Sequence, residues 1–488
     1  MWKPGPVEHL VSLIGHTGAV AALELLARDS LGRVLGVQVE WPPLDLRAEL
    51  ALKPCRPLEA DIAERSYVVA PNRDVGRCGS VAVGHAGHCK PPRASATRQA
   101  ITTCEDARVD PASAYETVVA EVDELLPEGA MVVDAHTHLG SDEDGQSLDA
   151  PALLAFLDQV GPTARACTFP FHDPERDPAY RLPNDRVLQW ARESDGRLYP
   201  YCRLDPADNP AAEAERCLAL GARGIKLHPR AQAFTFAHPA ADSIWKVAQE
   251  AKVPILIHAG RGMPPMDSLA DLALRYPDVA LVLAHAAIAD QGMLASRLRD
   301  HPSVFYDTST FSVFDLLELY ARVPAERVVF ASDVPYGRPV AALHSVLRIA
   351  AYAGLDDQER TALVGATMTD ILERRPLAEP RPPRVPEIRP VSGLLARING
   401  YVLMAFAAAI GSGPPPDFSR SAPFIALARA ACRDPEPGPV GAAVERVDRL
   451  LAGAEQVLGD GPERARAAAG MVSAAGVIAA TEPVAPLG

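Results

Sequence analysis

The chain has 488 residues, 48% of them hydrophobic and 23% charged, the profile of a folded rather than a disordered protein. That length allows two or three domains, although one α/β barrel can use about 250 residues by itself. A formal charge of −14 argues against nucleic acid or an anionic membrane surface as the main partner.

The eight cysteines are thinly spread, which is no disulfide framework and suits a reducing cytoplasm. The N-terminal stretch "MWKPGPVEHLVSLIGHTGAV" has no uninterrupted apolar core and does not read as a signal peptide. The most apolar segment, "YVLMAFAAAIG" (401–411), is too short to span a bilayer. The expectation is a cytoplasmic protein acting on a small molecule, with neither nucleic acid nor membrane as partner and with room for a homo-oligomer.

Residues 1–128 read as an N-terminal extension of mixed, partly disordered character. A helical pattern covers about 8–28, and a strand-like run, "RVLGVQVEW", follows at 33–41. From about 66 to 112 the pattern dissolves into Gly, Pro, Arg, Ser and Thr, and a loosely ordered segment is expected. Within it, "CGSVAVGHAGHC" (78–89) sets Cys78 and Cys89 around His85 and His88. The spacing lacks the paired C-x-x-C and H-x-x-x-H pattern of closed zinc sites. "YETVVAEVDELLPEG" (115–129) reads as a helix ended by Pro127 and Gly129.

Residues 129–376 have a different grammar. Eight short apolar runs recur, at 131–138, 165–171, 198–205, 223–229, 253–260, 280–287, 304–310 and 327–335. Helical patterns lie between them, such as 150–161 and 210–221, and "DQERTALVGATMTDILERR" (357–375) closes the series. Apolar strands alternating with helices imply a parallel sheet covered on both faces, and eight such units fit a (β/α)8 TIM barrel. Residues 377–391 form a proline-rich linker, and 392–488 an Ala-rich C-terminal helical appendage with helices near 392–411, 421–432, 439–458 and 463–481.

The first barrel run ends "DAHTH", with Asp134, His136 and His138 alternating, which on a regular strand turns all three to one face. Chance supplies roughly 0.35 His-x-His pairs in a chain with this many histidines, so the motif alone carries little. The other strand ends carry more. Lys226 and His228 end strand four, His258 strand five, His285 strand six and Asp333 strand eight. Five of the 13 histidines thus fall where a barrel of this type builds its active site. Imidazoles and a carboxylate converging in one mouth are satisfied together by a divalent metal. On the loops of the same end, Arg261 is placed to hold an anionic group, with Tyr336 and His172 at the rim. The chain has neither a phosphate-binding Gly-rich loop nor a G-x-S-x-G elbow.

"DAHTH", "GIKLHP", "LIHAG", "LAHAA" and "FASDVP", in this order over about 129–376, resemble the amidohydrolase superfamily, and within it the amidohydrolase family 2 branch. The resemblance implies a metal-dependent hydrolase carrying one divalent ion, zinc first. His136, His138, His258 and Asp333 would be its ligands. It implies Asp333 as the group that takes the proton of a metal-activated water, and His285 as the residue that polarises the substrate oxygen. In two-metal relatives a carboxylated lysine at the end of strand four bridges the ions, so Lys226 and His285 would serve a second ion. Otherwise Lys226 is an ammonium for substrate or for Asp134, with His228 beside it. The reaction expected is cleavage of a C–N or C–O bond in a small anionic molecule. The alternative is a non-hydrolytic decarboxylase, whose relatives carry a Gly-rich "HGGG" stretch where this chain has "HAAIAD" (285–290). A catalytically inactive scaffold barrel is disfavoured, because no ligand is missing.

Overall fold

The computed structural model describes residues 111–482 except 261–265, 289, 310–311, 386, 388–390, 412–416, 437 and 459–461. The helix expected at 8–28, the strand at 33–41 and the Cys/His run at 78–89 therefore lie outside the described residues, as does Arg261.

All eight apolar runs form strands, and a short ninth is added. In chain order they are β1 (Val133–Ser141), β2 (Ser147–Leu148), β3 (Arg165–Pro170), β4 (Leu198–Arg203), β5 (Gly224–Leu227), β6 (Ile255–Ile257), β7 (Leu281–Leu283), β8 (Val304–Asp307) and β9 (Val328–Val329). The sheet runs β2-β1-β3-β4-β5-β6-β7-β8-β9, parallel throughout except for β2, which pairs antiparallel with the end of β1. It curls until its two ends meet. Ala135 N donates to Phe330 O (2.8 Å), Asp333 N to His136 O (2.9 Å) and His138 N to Val334 O (3.0 Å).

Burial divides the strands into two faces. Cys167, Phe169, Tyr201, Leu256, Val282, Phe305, Val329 and Ala331 make an inner core, closed at the N-terminal end of the strands by Met368, Ile371 and Leu372. Ala166, Cys202, Ile225, Leu227, Ile255, Leu281 and Tyr306 face outwards onto the helices. Alternation of this kind leaves one row of inward side chains per strand, and the last inward residue of each row sits at the open end.

Two local departures from the expected pattern bear on the site. The run 280–287 is a strand only to Leu283, after which His285, Ala286 and Ala287 take left-handed φ values of 57°, 54° and 53°. The helix expected over 357–375 is interrupted: Asp357–Thr361 passes into a wider turn at Ala362–Ala366 before Thr367–Glu373 resumes. The interruption lets backbone meet backbone, because a Cβ on Gly365 would lie 2.0 Å from Met131 O at the entry to β1.

The C-terminal chain forms helices Gly393–Ile410, Ala422–Ala431, Gly438–Val457 and Pro462–Thr481. Their apolar faces join the same outer core as the strands and the helix Pro339–Tyr352. Helix Pro111–Leu125 packs with them, tied by Glu121 to His344 Nε2 (2.9 Å) and to Arg348, which also meets Thr481 Oγ1 (2.7 Å) and Glu482 (2.7 Å). The described residues accordingly belong to one compact unit. Helix Gly393–Ile410 is long and apolar enough to cross a membrane by length and composition, yet Leu394, Leu395, Ile398, Val402, Ala405 and Ala409 pack inside this core.

A Gly365→Ala variant tests the close approach. The atom it would strike is a backbone oxygen, which cannot swing aside as a side chain would, so a loss of about 1–3 kcal/mol is expected in denaturant unfolding. Unchanged stability would show that the turn re-forms without the contact.

Candidate metal centre

Strict alternation along β1 does not hold, and its failure builds the site. Asp134 pairs with Ala166, but the next pairs are Thr137 with Thr168 and His138 with Phe169, so β1 spends one residue more than β3 over the same distance. This is a β-bulge, which puts two successive residues on one side. Residues paired across parallel strands share a face. Asp134 therefore lies on the outward face with Ala166, while His138 points inward with Phe169. The expectation that Asp134 projects together with both histidines is corrected accordingly. Its Oδ1 accepts instead from His136 N (3.2 Å) and Ser332 N (3.0 Å), fastening β1 to the last strand, and burial raises its carboxyl to about 7.

His136, His138 and Asp333 meet at the open end of the inner face. His136 Nε2 lies 3.3 Å from His138 Nε2 and 3.2 Å from Asp333 Oδ1, and His138 Nε2 lies 3.1 Å from the same oxygen. Donors bonded at about 2.0–2.1 Å to a tetrahedral ion stand about 3.3 Å apart, so these three atoms already have the edge lengths of such a face. They are the group of described residues that could hold a metal ion. Asp333 reaches the position through a left-handed backbone (φ 56°), a conformation Asp tolerates better than most residues.

Asp307, the last inward residue of β8, organises the surroundings and was not singled out from the sequence. Its Oδ2 accepts from His136 Nδ1 (2.8 Å), and its Oδ1 from His285 N (2.8 Å), Ser309 N (3.0 Å) and Ser309 Oγ (2.5 Å). Burial alone would raise this carboxyl, but His136, His285 and Ser309 hold it well below the usual carboxylate range. An ionised Asp307 keeps the proton of His136 on Nδ1 and leaves Nε2 bare towards the triad.

The hydrogen-bond network assigns the neighbouring imidazoles in the same way. A carbonyl can only accept, so His285 Nδ1 donates to Ser309 O (2.8 Å) and its Nε2 accepts from His258 Nδ1 (2.9 Å). His258 Nε2 is then an unprotonated nitrogen, and it is buried with no hydrogen-bond partner among the described residues. A Cβ on Gly260 would lie 2.9 Å from it, so glycine leaves that edge open. His258 thus stands outside the triad, stacked on His228 at 3.8 Å between centroids. Burial, joined by neighbouring cations, holds His136 down to about 3 and pushes His138, His228 and His258 well below the ordinary imidazole value. Neutral imidazole is the form that binds metal.

Lys226 also points inward. Its Nζ is 3.3 Å from His136 Nε2 and 4.4 Å above the Phe169 ring, and burial, then Arg203, pull it down to about 7. No contact with Asp134 forms. At the rim, Tyr336 donates to Asp144 Oδ2 (3.1 Å) and stands edge-on to His138. His172 Nδ1 contacts Tyr180 Oη (2.5 Å), and burial with Arg203 lowers it to about 4. Arg203 was likewise missed; it and Asp307 stand at the ends of apolar runs, and strand register, which the sequence does not give, turns both inward.

Residues 133–368, a little under half of the chain, match the amidohydrolase family model. Among solved structures the chain is similar to a 4-oxalomesaconate hydratase from Rhodopseudomonas palustris, at 16% identity over 50% of this chain and 96% of that one, with a TM-score of 0.40. It is similar to a 2,6-dihydroxybenzoate decarboxylase from Rhizobium, at 13% identity over 50% and 99%, TM-score 0.38. A probable 2-pyrone-4,6-dicarboxylic acid hydrolase from Acinetobacter baumannii gives 13% identity over 50% and 99%, TM-score 0.38. Likenesses at these scores do not choose between hydration, decarboxylation and hydrolysis. No curated protein matches the chain.

Asp307→Asn tests the orienting role. The amide can present an N–H to His136 Nδ1 and free that ring to turn or change tautomer. Zinc affinity, measured by competition with a chromophoric chelator, is expected to fall about 10–100-fold. Unchanged affinity in a folded variant would remove Asp307 from the account.

Proposed function

We propose that the curled sheet is a complete (β/α)8 barrel and that the protein is a cytoplasmic metal-dependent hydrolase. It would cleave a C–N or C–O bond in a small anionic molecule. The observation that carries the reading is the triad of His136 Nε2, His138 Nε2 and Asp333 Oδ1, spaced at 3.1–3.3 Å with the first imidazole fixed by Asp307. The three backbone bonds between the ends of the sheet support the barrel, and the unpaired thiols of Cys167, Cys202, Cys217 and Cys432 are in keeping with a reducing compartment.

One divalent ion, zinc first, is favoured, with His258 Nε2 as the further ligand that its unshared lone pair suits. Such an ion supplies Lewis acidity and a water acidic enough to ionise near neutral pH. Asp333 takes the proton of the attacking water and returns it to the leaving group. Without an ion, burial raises the Asp333 carboxyl well above the ordinary value and Lys226 opposes this; a bound cation would favour the charged form that can accept the proton. His285 is engaged on both ring nitrogens, so in this reading it orients His258 and does not touch substrate. Lys226 is the residue through which a second ion would enter, as a carboxylated bridge.

Elemental analysis of the protein purified without chelator is expected to give about one metal per chain, lost in His136→Ala; two would bring Lys226 into the ligand set. Chelation should abolish turnover on a panel of carboxylated lactones and amides, and Zn2+ or Mn2+ should restore it. In water labelled with oxygen-18, one label per turnover should enter the newly formed carboxylate and none the leaving amine or alcohol. Release of carbon dioxide from aromatic hydroxy acids with no label incorporated would overturn hydrolysis in favour of decarboxylation.

A further inference from the structure

Arg203 is the last inward residue of β4, in register with Lys226 on β5 and two residues beyond the inner-core Tyr201. It is 1% exposed. Its Nη1 donates to Pro170 O (3.3 Å) and its guanidinium lies 5.3 Å above the Tyr180 ring. Its Nε and Nη2 are buried and have no hydrogen-bond partner among the described residues. Burial lowers its pKa, and the Tyr180 hydroxyl, by charge and by a side-chain hydrogen bond, opposes this ahead of Asp142, but no carboxylate among those residues forms an ion pair with it. Asp142 is itself occupied, accepting from the backbone of Asp144 and, on Oδ2, of His172 (3.1 Å).

An arginine that only braces a fold turns its donors to carbonyls or carboxylates, because a buried cation left unpaired is costly. Here the end nitrogen is used for bracing and the other edge is left free. Nε and Nη2 form the planar two-donor fork whose spacing matches the two oxygens of a carboxylate. The fork belongs to the strand beside Lys226, whose ammonium reaches His136 of the triad.

We propose that Arg203 is the carboxylate anchor of the site, binding a substrate carboxylate through Nε and Nη2 while the reacting group lies at the triad. The substrate class is then a small molecule with a carboxylate a few bonds away from the carbonyl that is attacked. The position of that carbonyl rests on the hydrolase reading above; the anchor itself rests on Arg203. Such a site holds a guanidinium desolvated in advance, so removal of the charge relieves the resting protein while it impairs binding.

The test uses the full chain loaded with Zn2+ and calorimetric titration with glutarate and isophthalate, each beside its uncharged diamide. The wild type should bind at least one dicarboxylate about tenfold or more tighter than its diamide, the scale of a charge-assisted pair. Arg203→Met and Arg203→Lys should both lose that preference with zinc content unchanged. The melting temperature of Arg203→Met should be equal to or above that of the wild type, which loss of a bracing residue would not give. If the methionine variant does not fold, the lysine variant decides, since it keeps the charge and lacks the fork. A preference that survives in either folded variant, or none in the wild type, overturns the proposal. Arg203-dependent preference in a wild type that takes up no zinc would sink the hydrolase reading and leave the anchor standing. Zinc uptake with a preference indifferent to Arg203 would do the reverse.

Discussion

The site depends on one buried carboxylate. Asp307 is fully enclosed, and each of its oxygens is committed: one to His136 Nδ1, the other to two backbone amides and a hydroxyl around His285 and Ser309. An anion so enclosed survives only because both of its oxygens accept hydrogen bonds, and the donating groups are therefore fixed in place. Through them Asp307 sets which nitrogen of His136 faces the triad. It also holds the left-handed turn that carries His285, and through His285 the tautomer of His258. Three strands receive their chemistry from one side chain of a fourth.

The electrostatics follow from the same arrangement. The chain as a whole is strongly acidic, yet the inner face at this end is not. Asp307 is the firmly ionised acid, Asp333 is raised by burial, the imidazoles are neutral, Arg203 is the cation, and Lys226, drawn down to about 7, carries its charge only in part. A divalent ion at the triad would draw Asp333 into its charged form, as a bound cation inverts the local preference of a carboxyl. In the proposed role, the anion that Arg203 lacks among the described residues is the substrate's.

The strand-and-helix rhythm was legible because apolar runs of strand length alternate with helical patterns, and the eight runs did form the sheet. That His136, His138 and Asp333 come together was legible for the same reason, since a strand's last residues stand at the mouth wherever the strand belongs. Three features were not legible. The bulge at Ala135–His136 has no composition of its own; it is a mismatch with β3, so "DAHTH" looked like three residues on one face when one of them faces away. The break at Gly365 depends on the nearness of Met131 O, a contact between residues far apart in sequence. Asp307 and Arg203 looked like ordinary polar residues at the ends of apolar runs, and only the register of neighbouring strands gives them an inward direction and a partner, or the lack of one.

The turn after β7 also limits what the sequence can say about the reaction. Alanine at positive φ costs roughly 1–2 kcal/mol relative to its usual conformations, so "HAAIAD" gives no hint of a left-handed run. The run is imposed from outside. His285 N is held by Asp307, Ile288 N by His285 O (3.0 Å), Asp290 N by Ala287 O (2.8 Å), and Ala286 O by Gln291 Nε2 (3.1 Å). The backbone here is one that glycine would adopt freely, so a Gly-rich stretch in decarboxylating relatives need not mean a different course of the chain. What the alanines add is two fully buried methyl groups beside His285. The contrast is therefore one of space filled around the turn, which bears on which substrates fit. Hydrolysis or decarboxylation has to be decided by whether the bound molecule presents a carbonyl or a carboxylate to His136, His138 and Asp333.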